Sequence, residues 1–275
     1  MKDNVITFEE AMSMNKIKVD GLAKDFSKQS FWHYTKEQSL PKIFSTKEVG
    51  YTLLCNRIDK TNDLIEREKA NANNVFVTCF CNTDSEKIPM WYLYGSLTGN
   101  GVSIGLTPLQ MLNFLKSIDH VYATRKEGDA QELVSLETLD IKFGWVYYEK
   151  HEYDKTKFFY KQRFYEIKDF SDECKNCYFI KDYPWNYEKE FRIVIIDKEN
   201  RGFEKLFLPI PKSLAKQMKL KVGQNFSAQE YELPISANKI KQSELRIDMN
   251  LLERHKDEVL DYIESKIYGN GKQKM

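Results

Sequence analysis

The run EFRIVIID at 190–197 constrains the fold more than any other stretch of the chain. Eight residues dominated by β-branched and aromatic side chains read as a strand. Alternation with a period of two puts Glu188, Glu190 and Arg192 on one face and Phe191, Ile193 and Ile195 on the other, towards a core. The charged face fits two environments. It is either an exposed surface, where each Glu–Arg pair contributes only about 0–1 kcal/mol, or the wall of a cleft in which the second carboxylate and the guanidinium orient one glutamate.

Other short β-type runs surround it: SFWHYT (30–35), YTLLC (51–55), VFVTCF (75–80), GVSIGL (101–106) and FGWVYYE (143–149). LFLPIP (206–211) joins them, its prolines restricting it to an edge or a strand end. Helices are expected between the runs. The Thr7–Glu10 capping box opens one running towards Lys28, and 36–46 forms another with Pro41 early in it. Ser85 caps a helix carrying MWYLYG that stops at Gly95. Thr107-Pro108 starts a helix through Ile118, and 249–268 is an amphipathic helix with a glycine stop. Residues 56–73 are a polar helix or loop, 119–139 a polar surface excursion, and 150–175 are mixed and charged. The mixture lacks regular βαβ alternation, and neither G-x-G-x-x-G nor G-x-x-x-x-G-K-S/T occurs. An α+β fold in a single domain is therefore expected over 1–275: a helix in 1–29, a core in 30–211, and an extension in 212–275.

Composition narrows the function classes. With 41% hydrophobic and 30% charged residues the chain is globular rather than disordered. Forty-two Lys and Arg against 41 Asp and Glu leave a net charge of +1, so no global field marks a polyanion binder. No apolar stretch reaches the roughly twenty residues of a membrane span, and the first twenty residues lack an apolar signal core, so no membrane partner and a cytoplasmic location are expected. Five cysteines do not form a secreted disulfide framework. Cys79 with Cys81 and Cys174 with Cys177 have spacings that suit a thiolate zinc site, but Cys79 and Cys81 sit in an apolar strand where cysteine acts as a small hydrophobe. No histidine pair has metal-ligand spacing, so no metal is expected.

Four clusters can carry chemistry. FWHYT (31–35) offers His33, Tyr34 and Thr35 in a strand otherwise built for burial; His33 is either a core-edge residue satisfied by a backbone carbonyl or a ligand contact. MWYLYG (90–95) places Trp91, Tyr92 and Tyr94 on one short helix, as core or as a platform for a flat heterocycle. NRIDKTND (56–63) brings Asn62, a turn former or a polar contact. Lys212, Lys216, Lys219, Lys221, Lys239, Lys241 and Arg246 form a phosphate-contacting strip or a solvated face.

Taken in order, FWHYT, CNRIDKTNDLIE, VFVTCFCN, IPMWYLYG, GVSIGL and KDYPWNYEKEFRIV resemble an uncharacterised bacterial domain family often found among phage-defence genes. Its marks are H/R-Y, N-D followed by an acidic residue, C-F, M-W-x-x-Y-G and W-x-x-E-x-E-x-R. That family is similar to ADP-ribosyltransferases of the His-Tyr-Glu type. The resemblance implies a split mixed or antiparallel sheet flanked by helices and an NAD-dependent ADP-ribosyltransferase, acting as a toxin or antiviral effector on RNA, DNA or protein. A toxin of this kind would be held in check by a neutralising antitoxin. It implies Glu190 as the catalytic carboxylate, His33 on the adenosine ribose with Thr35 and Tyr34 beside it, and Tyr51 or Tyr94 stacking on nicotinamide. Trp91, Asn62, Glu188 and Arg192 complete the expected NAD contacts, Glu188 or Arg192 positioning Glu190 or the acceptor. NAD is then a substrate, split through an oxocarbenium-like centre as in glycoside hydrolysis. An NAD glycohydrolase is the rival within the same chemistry; a non-catalytic nucleotide or phage-component sensor is the rival outside it.

Overall fold

The computed structural model describes residues 4–6, 30–44, 51–57, 73–83, 85–95, 100–126, 129–149, 157–160, 163–167, 178–227 and 233–244. The helices expected at 7–28 and 249–268, together with Asn62, Cys174, Cys177 and Arg246, lie outside them.

In chain order the strands are β1 (Asn4–Ile6), β2 (Phe31–Lys36), β3 (Tyr51–Arg57), β4 (Val75–Asn82), β5 (Gly101–Leu106), β6 (Val121–Thr124), β7 (Glu132–Val134) and β8 (Leu139–Trp145). They continue as β9 (Tyr147–Glu149), β10 (Lys157–Tyr160), β11 (Arg163–Ile167), β12 (Ile180–Asp182), β13 (Glu190–Asp197), β14 (Lys205–Ile210), β15 (Lys219–Val222) and β16 (Ile240–Gln242). The α-helices are short: α1 (Leu40–Ile43), α2 (Ile88–Met90), α3 (Pro108–Lys116) and α4 (Lys212–Ala215). The class is α+β, with open sheets of mixed parallel and antiparallel pairing.

The larger sheet turns on β4. One edge of β4 pairs antiparallel with β13 from Val75 to Cys81, and β8 backs β13. The opposite edge is divided. Phe76 and Val77 pair with β3, Cys81 and Asn82 pair with β2, and Thr78–Phe80 between them has no strand partner on that side. The sheet therefore forks into an arm β2–β5–β15–β16 and an arm β3–β14–β6–β7, with a gap between them. A buried carbonyl in such a gap still needs a donor, and His33 Nδ1 supplies one to Cys79 O at 2.9 Å. A smaller sheet, β1–β11–β10–β9–β12, adjoins the β8–β13 side, where Val146 N donates to Glu190 O.

Phe191, Ile193 and Ile195 enter the main core with Phe31, Phe76 and Phe80, as alternation predicts. The rings of Phe31 and Phe191 meet edge to face at 5.1 Å. α3 seals this side. Its Thr107–Gln110 capping box makes both reciprocal bonds, and Met111, Leu112, Phe114 and Leu115 are buried, each contributing about 1.5–3 kcal/mol. The opposite face of β4 and β13 is covered too, by Tyr178 and Phe179 against Val75, Val77 and Val194. Next to it, Trp32, Tyr34, Cys81, Met90 and Trp91 pack together.

Several expectations are corrected. Ser85 does not cap the MWYLYG helix: Lys87 is the N-cap, Ser85 bonds Thr83 instead, and Trp91–Gly95 is wound as a π-helix. The 119–139 stretch is not an excursion, because β6 and β7 extend one arm and bury Val121, Ala123 and Val134. β14 meets the strand-end alternative rather than the edge one, with Pro209 and Pro211 at its end. Lys205–Phe207 pair with both β3 and β6, whereas Pro209 lies beyond β6 and pairs only across to Thr52, which accommodates its missing N–H. Glu188 is not on β13. It ends the 3-10 turn Tyr183–Glu188, and Lys189 follows with φ +48° before the strand begins.

A small set of side chains fixes the far arm. Glu86 accepts from Trp91 Nε1 at 3.1 Å, from Ser243 Oγ and from Glu244 N at 3.3 Å, and pairs with Lys221 at 3.2 Å. Lys221 also lies over the Trp32 ring, 4.4 Å from its centroid. The Trp32 ring in turn covers Gly105, where an added Cβ would fall 2.5 Å from the ring. Gly105→Ala should therefore destabilise the protein by about 1–3 kcal/mol in urea unfolding, and Trp32→Leu in the same chain should recover part of the loss. Unchanged stability in the single variant would show that the ring is free to move.

Candidate functional site

The fork opens into a cavity of about 580 Å³, within the roughly 300–1,000 Å³ of small-molecule sites. β2 contributes Trp32 to Lys36, and the unpaired stretch of β4 contributes Thr78, Cys79 and Phe80. Met90, Leu93 and Tyr94 form a helical wall, and Lys181, Trp185, Glu188 and Glu190 close the remaining side. Two buried polar atoms on this lining, Trp32 Nε1 and Thr78 Oγ1, have no hydrogen-bond partner among the described residues. Buried polar groups are seldom left so, but neither atom is exposed to the cavity.

Behind the carboxylates lies a buried ionic cluster. Arg192 is fully buried on β13. Its Nε donates to Glu190 Oε1, its second terminal nitrogen donates to Glu190 Oε2 at 3.1 Å, and the first donates to Tyr178 O at 2.7 Å. Lys181, 2% exposed on β12, is 2.7 Å from Glu188 Oε2 and 3.6 Å from Glu190 Oε2. Its ammonium sits 4.4 Å from the centroid of Trp185. Tyr94 donates to Glu188 Oε1 at 2.6 Å, and Glu190 N donates to the Tyr148 hydroxyl at 2.9 Å. The exposed-face alternative for this strand is thus ruled out, because β13 is covered on both faces.

The two carboxylates ionise differently. Burial raises the Glu188 carboxyl to about 7, with Lys181 pulling it back and the Glu190 charge pushing it further. Burial opposes the Glu190 charge as well, but Arg192 and Lys181 outweigh it and hold that carboxyl well below the usual range, at about 2. Glu190 is therefore a fixed negative charge, whereas Glu188 exchanges a proton near neutrality. Burial lowers the His33 pKa against the opposing bond to the Cys79 carbonyl. A carbonyl can only accept, so Nδ1 carries the hydrogen and Nε2 keeps a lone pair.

Of the residues singled out in the sequence, His33, Tyr34, Thr35, Tyr94, Glu188 and Glu190 line the one cavity. Tyr51, Trp91 and Arg192 do not. Tyr51 packs edge-on to Phe44 at 6.0 Å. Trp91 is buried between Tyr34, at 5.3 Å, and Glu86, so it is a packing ring rather than a platform. Arg192 stands behind Glu190 and orients it. Lys181 and Tyr148 escaped the sequence reading, and Trp185 entered it only as the tryptophan of W-x-x-E-x-E-x-R. Lys181 and Trp185 lie inside KDYPWNYEKE, but no periodicity marks them, and Tyr148 comes from another sheet. Among the described residues no group of three or more His, Cys, Asp or Glu is placed to hold a metal ion, and no helix is long and apolar enough to cross a membrane.

Residues 90–193 match a family described as a protein of unknown function (DUF2971). The match runs from the helical wall of the cavity, M-W-x-x-Y-G, through W-x-x-E-x-E-x-R, so it takes in Glu188, Glu190, Arg192, Lys181 and Tyr94, and leaves His33 outside. No curated protein and no solved structure matches the chain.

Two measurements probe the cluster. Arg192→Ala leaves the buried Glu190 carboxylate with only Lys181, 3.6 Å away, as counter-charge, and should cost about 3–5 kcal/mol in urea unfolding; Glu190→Gln combined with Arg192→Met should recover part of that loss. The raised Glu188 pKa means that the folded state holds this proton more tightly. Its contribution is complete below about 4.5 and is lost as pH rises through about 7. Between pH 5 and 8 the wild type should therefore lose stability relative to Glu188→Gln; parallel pH profiles would contradict that assignment.

Proposed function

We propose that the protein breaks the nicotinamide–ribose bond of NAD and transfers ADP-ribose to a macromolecular acceptor, as a toxin or antiviral effector. One observation supports this above the others: a neutral imidazole from an early strand and a fixed carboxylate from a late strand line a single cavity at a fork in the sheet. That is the juxtaposition on which the resemblance to His-Tyr-Glu transferases depends.

Each group has a role in this reaction. Departure of nicotinamide leaves an oxocarbenium-like ribose. Glu190 meets it with a negative charge that Arg192 holds in place before substrate arrives, so little reorganisation is needed at the transition state. His33 Nε2 accepts from a ribose hydroxyl, with Thr35 and Tyr34 alongside. The Tyr94 ring, about two-fifths exposed at the cavity, stacks on nicotinamide. Glu188, titrating near neutrality, takes the proton of the acceptor nucleophile, which for the glycohydrolase variant of this reaction is water.

Incubation with NAD labelled in the adenosine half, with cell lysate, separates the readings: label on a macromolecule marks transfer, free ADP-ribose alone marks hydrolysis, and neither product leaves a non-catalytic nucleotide-binding module. Glu190→Gln should lower nicotinamide release by about 10²–10³-fold, with folding checked by circular dichroism. Full activity in that variant would remove Glu190 from the mechanism.

A further inference from the structure

The charged side chains that line the cavity are Lys36, Lys181, Glu188 and Glu190. Lys181 and the two carboxylates are matched within the protein. Lys181 stands between the glutamates, and Arg192, behind the lining, bonds Glu190 from the other side. Lys36 is different: it is exposed at the end of β2, and its ammonium has no partner among the described residues. Glu37 beside it in sequence is buried and off the lining, its carboxylate accepting from Ser227 N at 3.0 Å. With Arg192 counted, three cations meet two carboxylates, so the cavity holds positive charge that its own residues do not neutralise. A ligand that matches it is anionic.

Strand register brings further donors to the same end. Trp32 is opposite Cys81, so counting along the antiparallel strands puts Lys36 level with Val77. Asn56, on the other prong of the fork, pairs with Val77 itself. Asn56 is exposed, Ser39 is half-buried in the turn after β2, and both line the cavity. Ser39 occupies the N-cap position of α1 without making a capping bond, and neither side chain has another partner among the described residues. A cation, a hydroxyl and an amide thus reach one end of the cavity from three elements, all unused by the protein. The row Glu190–Cys81–Trp32 lies at the other end, about 13 Å of strand from Lys36.

We infer that Lys36, Ser39 and Asn56 form a phosphate subsite, and that the cavity takes a nucleotide by its phosphates rather than a free nucleoside or base. A planar carboxylate suits the fork of an arginine. A lysine acts as a point charge, and with a hydroxyl and an amide on separate elements it suits the several oxygens of a phosphate, which accept from different directions at once. The inference deepens the transferase reading and rests on it for the identity of the dinucleotide. With Glu190 at the reacting ribose, Lys36 holds the pyrophosphate and sets the direction in which NAD lies along the cavity.

The test needs no NAD. The full chain is titrated calorimetrically with adenosine, ADP and inorganic pyrophosphate at low and high salt. ADP should bind at least about tenfold more tightly than adenosine, and salt should weaken ADP binding alone. Lys36→Gln, at an exposed position that the fold does not depend on, should lower ADP affinity by about tenfold or more and leave adenosine affinity unchanged; Lys36→Arg should keep most of the ADP affinity. Equal affinities for ADP and adenosine, an unchanged ADP affinity in Lys36→Gln, or pyrophosphate alone binding as tightly as ADP overturns the inference. NAD cleavage, measured separately, distinguishes the two readings. Lys36-dependent ADP binding in a chain that cleaves no NAD sustains the subsite and sinks the transferase reading. NAD cleavage with the same KM in Lys36→Gln does the reverse.

Discussion

A guanidinium with no access to water must be neutralised where it stands, and much of the arrangement around β13 follows from that requirement. Arg192 is the largest fully buried side chain among the described residues, and an unpaired charge there would cost several kcal/mol. Glu190 neutralises it with two bonds, and the Tyr178 carbonyl takes a third. Those bonds fix the Glu190 carboxylate against the cavity and draw 178–188 over the sheet. With that segment come Lys181 and Glu188. A buried ion pair seldom adds net stability over apolar packing, so the cluster makes more sense as a way of holding a charge still than as a source of cohesion.

How each carboxylate behaves depends on its neighbours rather than on its type. Glu190 faces two cations and stays ionised. At Glu188, burial and the Glu190 charge outweigh the opposing pull of Lys181 and Tyr94, so it keeps its proton into the neutral range. Two residues apart in sequence, they divide the tasks of charge and proton carrier, the separation of environments on which acid–base pairs rely.

The strands were legible because local pattern decides them. EFRIVIID, VFVTCF and GVSIGL each appear within a residue or two of where they were read, and the Thr107–Gln110 capping box fixed the start of α3. What the pattern could not show was coverage. Alternation placed Glu190 and Arg192 on one face correctly, but whether that face meets water depends on Tyr178 and Phe179, which contact it only through the tertiary fold. Short runs in polar surroundings, such as β6 and β7, carry too few apolar residues for periodicity to register. The site was half visible: His33 and the glutamates stand out by type, whereas Lys181 and Tyr148 acquire meaning only when a second sheet docks. The fork itself has no sequence signature, since it arises from two strands sharing successive parts of one edge of β4.

Glu86 gives the molecule a connection that chain order hides. It gathers a bond from the helix forming one cavity wall, a charge from β15, and two bonds from residues just past β16. The segment around Ser243 is about 150 positions away along the chain from that wall, yet it braces the wall through a single carboxylate. Anything that tugs on this late segment, whether a bound strand or a docked protein, would be felt at Trp91 and hence at the aromatic rim of the cavity, giving a remote surface a mechanical handle on the pocket.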